Sequence, residues 1–352
     1  MPEHMTQPDL AGEISTSPAL LAQGGGEVAL ASAPSMAPSS LSGPKRPLET
    51  VLRYMFAACA LVSVLTTFGI IAVLLTESIP FFRAVPLTEF LGGREWTPQF
   101  EPARYGIMPL VCGTLLVTAG AAILSLPLGL LSAIYLSEYA SPRARTVLKP
   151  ALELLAGIPS IVYGFFALVF ITPLLSNAVE KMNPFLQRIT GNPDLFLEVS
   201  VFNALSASIA VAIMTLPLVS SLCEDALHSV PRSLREGAYA LGSTKLEVST
   251  KVVVPSALSG IAAAFILAIS RSIGETMIVA IAAGSQAQLT LNPLQTVQTM
   301  TGYIAAIAAG DVEHGSISYQ TIFAVGVVLF SITVVMNLAS ISLVKKYRQK
   351  YD

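Results

Sequence analysis

The sequence predicts an all-α, polytopic membrane helix bundle of six transmembrane helices, and three observations carry that expectation. The 352 residues are 53% hydrophobic and only 12% charged, with a mean hydropathy of +0.68, whereas soluble domains carry about 25% charged residues. Six apolar stretches, about 54–76, 109–136, 152–175, 200–222, 257–283 and 320–344, are long enough to cross about 30 Å of hydrocarbon at about 1.5 Å per helical residue. With the amino terminus inside, fourteen of the twenty Lys and Arg fall on inner segments and five on outer ones, the bias that orients membrane helices. The remaining one, Arg271, falls inside a span.

Residues 1–50 read as a disordered cytoplasmic tail ahead of a transmembrane domain over 51–352. Up to about residue 44 the chain is rich in Pro, Gly, Ser and Ala, with four acidic residues and no Lys or Arg, a composition that buries too little apolar surface to fold. No basic start leads into a short apolar run with a cleavage signature, so the first span reads as an uncleaved anchor. Pro127 and Gly129 in the second span, Gly157, Pro159 and Gly164 in the third, and Pro217 in the fourth imply kinked helices. They serve either as bends tolerated inside a bundle or as helices that must rock. Small residues in the fifth span, among them Ala262, Ala263, Ala264, Ala268 and Ser270, allow close helix approach. In the outer segment 77–106, Phe81, Phe82 and Trp96 read either as a partner contact or as an aromatic belt at the membrane interface. Cys59, Cys112 and Cys223 lack paired spacing and read as packing residues. The near balance of 20 basic and 22 acidic residues offers no basic surface for nucleic acid.

Two constellations carry chemical information. The first is the inner loop 223–256, where Pro231 opens a helix, Leu234, Ala238 and Leu241 recur at helical spacing, and Gly242 supplies a residue able to leave the helix with positive φ. A second helix follows, reaching Pro255. Such an element either docks into a groove on a soluble partner or rests on the bilayer surface. The run Gly237–Gly242 imitates the start of a phosphate-cradling loop, but Ser243 and Thr244 stand where Lys and Ser/Thr are required, so nucleotide binding by this chain is not expected.

The second constellation is Arg271-Ser272-Ile273-Gly274-Glu275-Thr276-Met277. Arg271 is the fifteenth of the 27 residues of the fifth stretch, where an unpaired charge costs about 2.5–3.5 kcal/mol or more. Spaced four apart, Arg271 and Glu275 are expected on one helix face, turned toward the bundle interior or a wet cavity. One reading is a buried ion pair that locks two helices. The other is a passage in which Arg271 grips a tetrahedral oxyanion, Glu275 positions or releases it, and Ser270, Ser272 and Thr276 add hydroxyl donors.

These residues resemble a known family. Glu236, Ala238 and Gly242, followed at the family's spacing by Val252, Val254 and Pro255, look like the cytoplasmic "EAA" loop of ABC importer permeases, with Gly237 departing from the usual Ala. The Arg271–Met277 run resembles the signature of the phosphate-specific branch. Trp96-Thr97-Pro98, Tyr105–Pro109 ahead of Gly113-Thr114, Asn292–Gln295 and Gly310-Asp311 resemble the PstC-type member. The likeness covers about 50–350 and excludes only the tail.

The resemblance implies an ABC importer permease fold and import of inorganic phosphate across the bacterial cytoplasmic membrane, with both termini cytoplasmic. It assigns coupling to a separate ATPase to the loop carrying Glu236, Ala238, Gly242 and Pro255. It also implies a second homologous permease, two copies of a cytoplasmic ATPase and an extracytoplasmic phosphate-binding protein, with membrane lipid around them. ATP and magnesium would be held by the ATPase and no cofactor by this chain.

Other readings stay open: a permease for sulfate or molybdate, an ion-coupled carrier, or a membrane-embedded enzyme. A carrier would more often show several intramembrane carboxylates, and no HExxH or GxSxG run supports an enzyme. His314, beside Asp311 and Glu313, is a possible metal ligand or part of a solvated outer loop.

Overall fold

A computed structural model describes residues 47–191, 196–313 and 315–347; most of the tail predicted over 1–50, and His314, lie outside them. The chain divides into two units, Met1–Leu61 and Val62–Asp352, and the packing that follows is that of the second. Among the described residues the architecture is helical, with one isolated antiparallel bridge between Trp96 and Tyr105.

In chain order α1 spans Pro47–Ala84, α2 Leu87–Gly92 and α3 Met108–Ile134, the last extended by a π-helical turn over Tyr135–Tyr139. Then come α4 Pro142–Ala156, α5 Ser160–Phe166 and, after a π-helical turn Ala167–Ile171, α6 Thr172–Thr190. Next are α7 Ala204–His228, α8 Arg232–Ala240, and a segment made of α9 Lys245–Glu247, a π-helical stretch Val248–Val253 and α10 Val254–Ser256. The last are α11 Leu258–Ile273, α12 Met277–Ala282, α13 Met300–Ala309 and α14 Ile317–Tyr347. Among the described residues, five helical segments are long and apolar enough to cross a membrane, or six when the bent pair Lys245–Ser256 and Leu258–Ile273 counts as one span.

The structure shifts some predicted boundaries for physical reasons. The third stretch, read as 152–175, is cut at Gly157–Pro159, where Pro159 adopts an extended ψ of 138°. The continuous apolar segment runs instead over Ser160–Ile189. The residues before the cut belong to α4, which buries none of its side chains. The fourth stretch, read as 200–222, begins at Ala204, where the Asn203 side chain caps the helix by accepting the Ser206 N–H at 2.7 Å. It continues to His228. The fifth, read as one helix over 257–283, breaks at Gly274–Thr276.

Three apolar clusters line up along α3, the middle and inner ones shared with α7. At the outer end, Phe81, Phe90, Trp96, Leu110, Met300 and Tyr303 close around one another, with Trp96 and Tyr303 edge to face at 5.0 Å. Phe81 and Trp96 are therefore core residues, neither a belt nor a partner surface; the segment after α1 carries Trp96 inward and packs Phe90 and Tyr105 against Phe81. In the middle, Val117 and Ala121 of α3 meet Ala207–Met214 of α7, together with Tyr163, Ile171 and Ile278. At the inner end Ala133, Val219, Cys223 and Leu227 meet Val248, Val253, Ile261 and Ala264. The outer segment after α12 is not a plain solvated loop. Leu205 and Ala204 N–H groups donate to the carbonyls of Pro293 (2.7 Å) and Gln295 (3.0 Å), satisfying the first orphan donors of α7.

α7 is the central helix, with 61% of its most apolar stretch buried, against 33% for α3 and 0% for α1. Lipid tails give no hydrophobic drive between helices, so α3 and α7 hold by close packing. At Gly129 a Cβ would sit 2.6 Å from Val219 Cγ1, too near for any side chain. Gly129→Ala is expected to destabilise the bundle by about 1–3 kcal/mol, and Val219→Ala in the same chain to restore part of it. Thermal unfolding of the detergent-solubilised protein checks both; an unchanged midpoint for Gly129→Ala would refute the close-packing account.

Candidate functional site

The inner loop folds as two short helices around a tight reversal. α8 starts after Pro231, which stands just outside it with an extended ψ of 138°. At Gly242 the chain turns with φ +82°, a backbone state that costs an L-residue about 1–2 kcal/mol. The second limb opens with a capping box: the Thr244 hydroxyl accepts the Glu247 N–H, and the Glu247 carboxylate accepts the Thr244 N–H at 3.0 Å. Pro255 lies near the 72° bend that separates this limb from α11. Lacking an N–H and crowding the preceding turn, it favours such a bend. Ala238 packs toward the inner core, whereas Leu241 is 89% and Leu246 63% exposed. Glu236 is exposed and forms no ion pair among the described residues. The loop thus presents Glu236 and the apolar Leu241 and Leu246 away from the bundle, beside the exposed cations Arg232, Lys245 and Lys251.

Side chains that sequence reasoning passed over fasten this loop to the spans. Arg235 Nη1 donates to the Val230 carbonyl at 2.6 Å, and Nη2 donates to the Leu227 carbonyl at 2.7 Å and to Glu138 Oε1 at 3.2 Å. A cavity of about 350 Å³ adjoins it, lined in part by Arg145, His228, Arg232, Glu236 and Tyr239. Nearby, Glu224 is 1% exposed and pairs with Arg145 and, at 2.6 Å, with Lys149, which tethers the polar helix α4 to α7. The hydrogen bond to Glu224 holds the Lys149 ammonium above its usual range, against the opposing pull of partial burial. The signal was present in single carboxylates at the inner ends of apolar helices, but Glu224 lay beyond the predicted end of its span.

The second constellation is rearranged by the helix break. α11 buries the stripe Ile261, Ala264, Ala268 and Ser272 and ends at Gly274, whose N–H donates to the Ser270 carbonyl at 3.3 Å. Arg271 and Glu275 consequently do not share a helix face, and no ion pair joins them. Arg271 sits in the last turn of α11, a favourable place for a cation. The residue is exposed on the surface of the chain, with its Nη2 3.9 Å from Met214 Sδ. The neighbouring Ser270 hydroxyl is buried without a hydrogen-bond partner.

Glu275 turns inward instead. It is 9% exposed and its Oε1 accepts the Ile278 N–H at 3.4 Å, covering a donor freed at the start of α12. Thr301 Oγ1 donates to the Glu275 carbonyl at 2.6 Å and ties the break to α13. Ser272 Oγ donates to the Ala268 carbonyl at 2.9 Å, which directs it into its own helix. Thr276 Oγ1 reaches the Gly274 carbonyl at 3.3 Å. Among the described residues no group of three or more His, Cys, Asp or Glu is placed to hold a metal ion.

Long apolar helices, a span broken around a charged residue and a capped amphipathic loop at the inner end define a membrane-embedded transport permease. The family described as "Binding-protein-dependent transport system inner membrane component" matches residues 125–349, and this chain belongs to that family. The chain is 33% identical over 279 residues to the probable ABC transporter permease protein YqgH of Bacillus subtilis (strain 168), covering 79% of this chain and 84% of that protein. It is equally 33% identical over 271 residues to the phosphate transport system permease protein PstC of Xylella fastidiosa (strain Temecula1), covering 74% and 80%. Among solved structures, a bacterial ABC transporter involved in the import of the acidic polysaccharide alginate superposes with a TM-score of 0.58 at 14% identity, over 87% of this chain and 100% of that one. That likeness bears on the fold alone.

Glu224→Gln leaves two cations facing a neutral amide. A cost of about 2 kcal/mol is expected, discounted from a fully buried pair because both cations are 33% exposed. It should appear as a lowered thermal midpoint together with faster proteolysis within α4; a midpoint equal to that of the unaltered protein would show that the tether carries no stability.

Proposed function

We propose that this chain is the membrane-spanning permease subunit of an ATP-driven importer of inorganic phosphate. The observation that carries the reading is Arg271. It belongs to a helix of the apolar bundle yet is exposed on the chain's own surface and has no carboxylate partner among the described residues. Left against lipid, such a charge costs about 2.5–3.5 kcal/mol or more. The face around it therefore belongs against another subunit or an aqueous passage, and an anion crossing there supplies the missing countercharge. The planar guanidinium fork suits a tetrahedral oxyanion. Phosphate as cargo draws support from the phosphate transport permeases among the relatives.

In this reading the passage forms between this chain and a second homologous permease. Arg271 contacts the anion, while Glu275, Ser272 and Thr276 shape the break that presents it. Glu236, Ala238, Gly242 and Pro255 belong to the loop that meets a cytoplasmic ATPase, present in two copies. An extracytoplasmic binding protein delivers phosphate at the outer end. The chain itself performs no catalysis and holds no cofactor; ATP and magnesium stay with the ATPase. Both termini lie on the cytoplasmic side, as the basic inner segments favour.

Two experiments test these roles. In cells lacking this gene and complemented with variants, Arg271→Gln is expected to lower labelled phosphate uptake at least about a hundredfold, the scale of a lost charge-assisted contact. Arg271→Lys should keep partial uptake, because charge survives without the fork. Uptake unaffected by Arg271→Gln would end the proposed contact, and equal competition by sulfate or molybdate would move the cargo to oxyanions in general. Gly242→Pro forces a negative φ onto a turn built at +82°. It should leave membrane insertion intact while abolishing uptake or copurification of the ATPase. Normal transport with this variant would refute the coupling assignment.

A further inference from the structure

The linker between α7 and α8 is short, Ser229–Pro231, and a load applied to the loop could be lost by bending it. Arg235 spans that linker. Its side chain is 16% exposed and its partner Glu138 7% exposed, so the contact is largely shielded from water. The two carbonyls it grips are that of Leu227 in the last turn of α7, which also accepts the Val230 N–H at 3.3 Å, and that of Val230 in the linker. Glu138 lies in the π-helical turn that ends α3. Its Oε1 also accepts the Ser137 hydroxyl at 3.1 Å, which fixes the carboxylate. One guanidinium therefore joins the loop helix to the inner ends of both α3 and α7. These two helices are packed together along their length, and Ser220 Oγ reaches Ser132 Oγ at 3.1 Å between them.

We propose that Arg235 is a positioning residue for coupling: it makes α8 a rigid extension of the α3/α7 pair, so that displacement of the loop moves both spans together rather than flexing the linker. The inference rests on the reading of this loop as the ATPase contact. It assigns different jobs to neighbouring residues: Glu236, Tyr239 and Leu241 face outward from the bundle, while Arg235 faces inward. Lysine cannot reproduce the clamp, because a single ammonium lacks the fork that reaches two carbonyls and a carboxylate at once.

The test uses the full chain with its partners in membrane vesicles. Phosphate imported per ATP hydrolysed, copurification of the ATPase and the distance between spin labels on Leu131→Cys and Leu241→Cys, with exposed Cys59→Ser, are measured together. Arg235→Gln is expected to keep the ATPase bound and hydrolysing, to lower phosphate per ATP at least about fivefold, and to broaden the label distance distribution. Arg235→Lys should recover part of the ratio, and Glu138→Gln, which removes one of the three contacts, should give a smaller loss that does not add to that of Arg235→Gln.

A ratio and distance distribution identical to those of the unaltered protein would overturn the proposal. Should Arg235→Gln fail to accumulate, Glu138→Gln decides by the same two measurements. Gly242→Pro separates the two levels of the argument. If it uncouples transport while Arg235→Gln does not, only the clamp is wrong. If Gly242→Pro also leaves the ratio and the ATPase contact untouched, the coupling reading beneath the clamp fails.

Discussion

A membrane interior offers no water to a stranded charge or an open backbone group, and the arrangement around Arg271 follows from that constraint. Breaking α11 at Gly274 frees backbone donors that must be met inside protein, and the Glu275 side chain meets one of them at Ile278. The same break separates Glu275 from Arg271, so the carboxylate that sequence spacing offers as a counterion is spent on backbone. Arg271 is then left with the dipole of its own helix end and a soft sulfur contact from Met214. A charge so placed is tolerable where the chain's open face meets an assembly rather than lipid.

The break is held in place by the packing around it. Thr301 on α13 bonds the Glu275 carbonyl, and Ile278 and Val279 of α12 are buried in the central cluster with α7. α7 in turn lies against α3 at a distance set by Gly129. The central pair thus reaches from the aromatic cluster at the outer end to the inner core, where α8 and the limb after Gly242 attach. The polar fastenings of the inner end, Glu224 with Arg145 and Lys149 and Glu138 with Arg235, lie where apolar helices give way to charged loop. Arg145 and Lys149 keep a third of their surface in water there, so the Glu224 pairs are less costly to form than in the hydrocarbon, whereas the Glu138–Arg235 pair is largely shielded.

Much of this was legible in the residues. The apolar stretches and the excess of Lys and Arg on alternate segments point to a multi-span bundle because hydrocarbon thickness and charge placement act on composition directly. The turn at Gly242 was readable because few residues other than glycine accept positive φ. The start of the third span was not, since Gly157 and Pro159 are compatible with a kink inside a helix or with its end. Packing of α4 as a polar helix chose the latter. The aromatic residues of 77–106 fit an interface belt equally well by composition; the fold packs Phe81 against Phe90 and Tyr105 and Trp96 against Tyr303.

Sequence alone determined that this chain spans a membrane several times, carries a two-helix inner loop reversed at Gly242 and sets Arg271 within an apolar segment. Those properties depend on local composition and on the conformational limits of single residues. Tertiary structure alone decided that Arg271 and Glu275 part company, that Trp96 is core, and that Arg235 joins the loop to α3 and α7. Each of these depends on which distant groups compete for a hydrogen bond or a packing site, and spacing along one helix carries no record of that competition.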